Sequence, residues 1–153
     1  MAAELEELAY QAALNALASQ ERALTELRQR AGTVLAAAPI SGSFLGAQAL
    51  TRHGLHVLAV LALIALAASV LLSLLVLLPR KQMVFSIDAP TLYTELFAHA
   101  DDPLEVHRRL AYWLQSFHVS NESRIDALVH RFELAVVALA LEIVLWASQL
   151  ALG

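Results

Sequence analysis

The stretch LHVLAVLALIALAASVLLSLLVLL, Leu55 to Leu78, carries no charged side chain, and only His56, Ser69 and Ser73 interrupt it with polar groups. A helix needs about 20 apolar residues to cross the hydrocarbon of a bilayer, and this run has 24. Sixteen of them are Leu, Val or Ile. At roughly −0.4 kcal/mol each on an insertion scale, they favour the membrane by about 6 kcal/mol. Pro79, Arg80 and Lys81 then end the run. A buried helix of a water-soluble domain accounts poorly for such length without a charge.

Two further stretches extend the reading. Phe132 to Leu152 has Glu142 near its middle; a carboxyl there costs about 2.5 to 3 kcal/mol. Its eleven Leu, Val, Ile and Phe return about 4.5 kcal/mol, so insertion stays favourable by a small margin. Thr33 to Thr51 is weaker, rich in Ala and Gly with Pro39 inside, and the strong span begins four residues later. The pair is expected to insert together as a hairpin. Ala47-Gln48-Ala49 resembles a signal-peptidase site, but the preceding segment of about 30 residues carries five acids, which is wrong for a signal.

Composition agrees. Of 153 residues, 59% are hydrophobic and 16% charged, against about 25% charged in soluble domains. A net charge of −4 argues against nucleic acid as a partner. There is no cysteine, so disulfides and thiolate metal sites are excluded. Nine of the ten basic residues are Arg, a usage that suggests a GC-rich bacterial source. Arg22, Arg28 and Arg30 precede the first span, only Arg52 lies between the first and second, and Arg80, Lys81, Arg108, Arg109, Arg124 and Arg131 lie between the second and third. The positive-inside rule then puts the N-terminus and the long loop in the cytoplasm, and the turn at Arg52-His53-Gly54 and the C-terminus outside.

The expected fold is an all-α membrane protein: an N-terminal transmembrane hairpin plus a C-terminal span, with long cytoplasmic helical extensions. Residues 1–31 form a cytoplasmic amphipathic helix, 32–81 the hairpin (spans near 33–51 and 55–78), 82–131 a cytoplasmic helical segment and 132–153 the third span. In the first segment Tyr10, Leu14, Leu17 and Leu24 follow the three-four spacing of an apolar seam. That seam is read as a surface for a partner, or for the stripe Leu110, Trp113 or Leu114, Phe117, Ile125, Leu128 and Phe132. Glu4, Glu6 and Glu7 crowd the helix start, where its dipole favours acids. Asp88 and Pro90 suggest a short helix to about Ala100. Asp102, Pro103 and Glu105 signal a longer one running to Leu152, with a break near Ser120-Asn121 as its variant.

Glu142 is the most informative residue. Carboxyls at mid-bilayer are rare and face protein or water. Glu142 lies nine residues in from Glu133, Ser41 and Ser43 eight and ten in from Thr33, and Ser69 nine in from Leu78. All four reach a similar depth, so a polar cluster of Glu142, Ser41, Ser43 and Ser69 is expected where the spans meet. Such a cluster serves either as a hydrogen-bonded glue between helices or as a proton or ion pathway. Ala38, Gly42 and Gly46 repeat every four residues, a small-residue face that permits close helix approach, within the hairpin or between copies. His118 with Glu122, and Asp126 with His130, are four apart, but neither is a metal motif; they read as solvated pairs. There is no Gly-rich phosphate loop or nucleophile elbow. No enzyme activity, cofactor or metal is expected.

A charged helix runs into the first span at Leu27-Arg28-Gln29-Arg30-Ala31-Gly32-Thr33-Val34-Leu35, a tight hairpin follows, and the second span ends Leu77-Leu78-Pro79-Arg80-Lys81. A cytoplasmic insertion of about 50 residues leads to Asn121, Ile125, Leu128 and Phe132, then a last span with Trp146. This layout resembles the Pycsar-type transmembrane effectors of bacterial anti-phage defence and, more loosely, SLATT-like small membrane proteins. The likeness covers most of the chain in layout and few positions in motif. Arg30-Ala31 stands where that family often shows a basic residue and Ala, without the acidic residue ahead of it. The resemblance implies an oligomeric effector that perturbs the bacterial inner membrane on receiving a signal, with a cytoplasmic protein or nucleotide as trigger. Alternatives from the residues themselves are a membrane-anchored adaptor without pore activity and a small ion or proton pathway around Glu142.

Overall fold

The computed structural model describes residues 2–79, 83, 85, 90, 94 and 103–152. Among these the chain forms three helices and no strand: α1 (Ala2–His53), α2 (Val57–Leu77) and α3 (Pro103–Leu152). All three are long and apolar enough to cross a membrane, α2 being the most apolar and α1 the least. Arg80, Lys81, the short helix expected up to Ala100 and the Asp102 cap lie outside the described residues, apart from Pro90 and Thr94 within that stretch.

Both long helices are continuous. α1 passes Gly32 and Pro39 without a break, and α3 passes Ser120-Asn121. Pro39 has no N–H to give Leu35, a loss that membrane helices tolerate when nearby hydroxyls help satisfy the backbone. Two hydroxyls of the same turn do reach carbonyls: Ser41 to Ala38 at 2.9 Å and Ser43 to Ile40 at 3.1 Å. The hairpin turn falls later than expected, at residues 54–56, because α1 continues to His53. Gly54 stops it with φ +69, a left-handed conformation that favours glycine, and its N–H bonds the Leu50 carbonyl at 3.0 Å.

The chain divides into two compact units. The first takes residues 1–25 and 80–126. There Ala13, Leu17 and Leu114 form a core against which Tyr10, Leu14 and Phe117 pack. Tyr10 stacks on His107, ring centroids 5.6 Å apart, and Gln20 Nε2 donates to the His118 carbonyl at 3.0 Å. The pairs Tyr10–His107, Leu17–Leu114 and Gln20–His118 advance together, so these stretches of α1 and α3 run parallel. Glu4, Glu7, Glu21, Arg22, Arg108 and Arg109 stand exposed. Large apolar side chains inside and charges outside are what water selects.

The second unit takes residues 26–79 and 127–153, and its pattern is reversed. The buried side of α2 is Ala59, Ala62, Ala65, Ser69, Ser73 and Val76, while Leu61, Leu63, Ile64, Leu71 and Leu74 face outward. Small and polar residues between helices, with branched apolar ones outside, suit a lipid solvent. There the tails are as apolar as Leu, and helices associate through close backbone packing and interhelical hydrogen bonds. Gly42 meets Leu66, and Ala49 shares a cluster with Ala59 and Ala62, so α2 runs antiparallel to α1. Gly42 with Glu142 and Gly46 with Trp146 keep one constant offset, so α1 and α3 run parallel here.

Candidate functional site

The second unit holds a polar seam between helices that are otherwise apolar. Glu142 on α3 is fully buried, as is Trp146 one turn later. The Ser41 hydroxyl on α1 lies 3.1 Å from Glu142 Oε1 and 2.9 Å from the Ala38 carbonyl oxygen. Glycine makes this approach possible. A Cβ on Gly42 would stand 3.1 Å from Glu142 Oε1 and 3.0 Å from Leu66 Cδ2, and one on Gly46 would stand 3.1 Å from Trp146 Cζ2. Ala38, fully buried, continues the same face. Ala38, Gly42 and Gly46 are thus spent inside the chain, receiving Leu66 of α2 and the two large side chains of α3.

At Glu142 and Trp146 two atoms are left over. Glu142 Oε2 and Trp146 Nε1 are buried without a hydrogen-bond partner. Among the described residues the ion pairs Arg30–Glu26, Arg108–Glu105, Arg109–Glu105 and His130–Glu133 all lie elsewhere, and none includes Glu142.

The expected four-residue cluster separates. Ser41 joins Glu142. Ser43 is exposed and bonds only its own helix, at Ile40. Two residues span about 200° of helix, so Ser41 and Ser43 cannot face the same neighbour. Ser69 is buried and does reach α3, but donates to the Ala135 carbonyl at 3.0 Å, two turns before Glu142. Equal counts from the span ends do not bring all four together: Ser43 differs from Ser41 by its angle around α1, and Ser69 meets α3 two turns away from Glu142.

Three further polar residues belong to the seam and escaped sequence reasoning. Gln149 Nε2 donates to the Gly54 carbonyl at 3.1 Å, tying the end of α3 to the hairpin turn. Ser73 is buried with its hydroxyl unpartnered. Trp146 was noted only as part of a resemblance. A signal for it exists in the four-residue step from Glu142 to Trp146, which matches the step from Gly42 to Gly46.

The seam of Tyr10, Leu14, Leu17 and Leu24 is covered by the chain itself. Leu17 and Leu24 are buried, Tyr10 and Leu14 half-buried, and Leu114 and Phe117 of α3 supply the cover. α3 offers Tyr10, Leu14 and Leu17 a matching stripe at the same spacing. Beside it an open groove of about 610 Å³ is lined by Ala9, Ala12, Ala16, Ala111 and Tyr112 among others. No three His, Asp or Glu among the described residues could share a metal ion, and His130 lies 3.6 Å from Glu133.

A carboxyl beside a hydroxyl, closed away from water and cations, can hold two helices together and can hold or release a proton. No protein-family model, curated protein or solved structure matches the chain.

Proposed function

We propose that this chain is a three-span protein of the bacterial inner membrane that acts as an oligomer and perturbs the bilayer when its spans rearrange. Its N-terminus lies in the cytosol and its C-terminus outside. The parallel course of α1 and α3, with α2 antiparallel between them in sequence, supports an odd number of crossings, and nine of the ten basic residues then fall on the cytosolic side.

The observation that carries the reading is the closed carboxyl of Glu142. An anchor needs no acid within a span, and keeping one there is costly. A protein that opens a polar path has use for it. Glu142 and Ser73 are sealed in the bundle with Ser41 half-buried beside Glu142, and a rearrangement that parts the helices would supply them as the lining of that path. The trigger, a cytoplasmic protein or nucleotide signal, acts on the charged helical extensions.

Expression of the full chain in bacteria tests this, with a potential-sensitive dye and growth as readouts. Membrane depolarisation and growth arrest on triggering or overexpression are expected. Normal growth at full potential, with a co-purifying protein, would instead make the chain an adaptor. Steady proton flux through liposomes without any trigger would make it a conduit. Reporters fused at the two ends must light up on opposite sides of the membrane.

A further inference from the structure

We infer that Glu142 is a proton-binding site, holding its carboxyl as the neutral acid, and that this bound proton clasps α3 to α1. The inference comes from counting hydrogens. A serine hydroxyl has one to give. Ser41 Oγ has two acceptors within reach, the Ala38 carbonyl at 2.9 Å and Glu142 Oε1 at 3.1 Å. If Glu142 were a carboxylate, Ser41 could serve only one of them. The charge would then sit buried with neutral donors alone, Ser41 and the Trp146 indole, and with no ion pair to Glu142 among the described residues. Buried ions in that condition are not tolerated.

With a proton on Oε1 every group is used. Glu142 donates to Ser41, and Ser41 donates to Ala38. Oε2, now a carbonyl oxygen, is an acceptor for the Trp146 indole N–H one turn on. Among the described residues, none of those that meet the site carries charge. Ser41 and Gly42 face it from α1, Leu66 from α2 and Trp146 from its own helix. The titratable groups nearest in sequence are Arg30 and Arg52 on α1, His56 before α2, and Glu133 on α3, none closer than nine residues to these positions.

Loss of the proton reverses the donation between Glu142 and Ser41 and leaves a charge against Leu66 and Gly42. The clasp then opens, so a proton is a ligand of the closed form. This goes deeper into the site assigned above but does not depend on membrane breach. Infrared spectra of the purified full chain in liposomes require no flux and can fail or succeed independently of any effect on cells.

At pH 7, wild type minus E142Q should show the carbonyl band of a neutral carboxylic acid, since the exposed carboxylates are ionised in both and cancel. S41A should shift that band by removing its acceptor. On raising the pH, the band should vanish together with faster amide exchange around residues 38–46 in wild type and not in E142Q. Carboxylate bands alone in the pH 7 difference spectrum would overturn the inference. So would a band that S41A leaves in place, a readout that survives even where E142Q folds poorly.

Discussion

The paired stretches 4–25 and 105–126 and the apolar region 26–79 with 127–152 use the same two long helices to opposite ends. In the former, Leu17 and Leu114 point in while Arg22, Arg108 and Arg109 point out. In the latter, Ala59, Ser69 and Glu142 point in, while Ile64, Val137 and Val144 point out. Neither helix changes its backbone conformation between the two. The solvent changes, and with it the meaning of burial. Where water is the alternative, burying Leu is the driving force. Where lipid is the alternative, Leu gains little by burial, and small side chains and polar bonds decide which faces meet.

The largest test of this contrast lies within α3. Val119 and Val144 are nearly equally exposed, at 56% and 58%. Val144→Arg should cost about 3 kcal/mol of insertion, more than the narrow margin of its span, so the last span should fail to integrate in a protease-protection or alkaline-extraction assay. Val119→Arg should change stability by less than about 0.5 kcal/mol. Equal behaviour of the two variants would erase the distinction between the regions.

Leu17→Ala should weaken the paired stretch by about 3 kcal/mol through transfer and cavity terms. Hydrogen exchange should rise in residues 10–25 and 107–121 while residues 57–77 stay protected. Two glycines of α1 come next. Gly42→Ala meets Leu66 and Glu142 and should lower thermal stability in detergent by about 2 kcal/mol. Gly32→Ala meets nothing within 4 Å and should raise it by about 0.5–1 kcal/mol. The smallest effect is expected at the surface fork of Glu105 with Arg108 and Arg109. Glu105→Gln should cost less than about 1 kcal/mol and lose even that in high salt.

The helical class and the apolar stretches were legible because insertion depends on summed transfer energy, which a linear reading supplies. Leu55 to Leu78 needs no neighbour to be recognised. The turn expected at Arg52-His53-Gly54 falls two residues later, since Arg52 and His53 continue α1 until glycine ends it. Site geometry was less legible for a different reason. Counting gives depth along a span only to within a turn or two, because each helix sits at its own level, and the angle around it depends on which helix lies alongside. Hence Ser41 and Ser43 looked equivalent and are not, and Ser69 found Ala135 in place of Glu142. The stripe of α3 that covers Leu17 was readable from spacing alone, whereas the match of Gly46 to Trp146 needed the parallel course of the two helices.

Gln149 ties down the Gly54 carbonyl across 95 residues of sequence, and Ser41 waits 101 residues for Glu142. A ribosome delivers these groups in order. On the proposed topology the first two crossings therefore enter the bilayer as an unfinished pair, with the groove at Gly42 and Gly46 unfilled and Ser41 bonded only to the Ala38 carbonyl of its own helix. Only release of the final segment completes them. Any chaperone or insertase that shelters the nascent chain has that interval in which to act, and a truncation before Glu142 would strand the hairpin in its immature form.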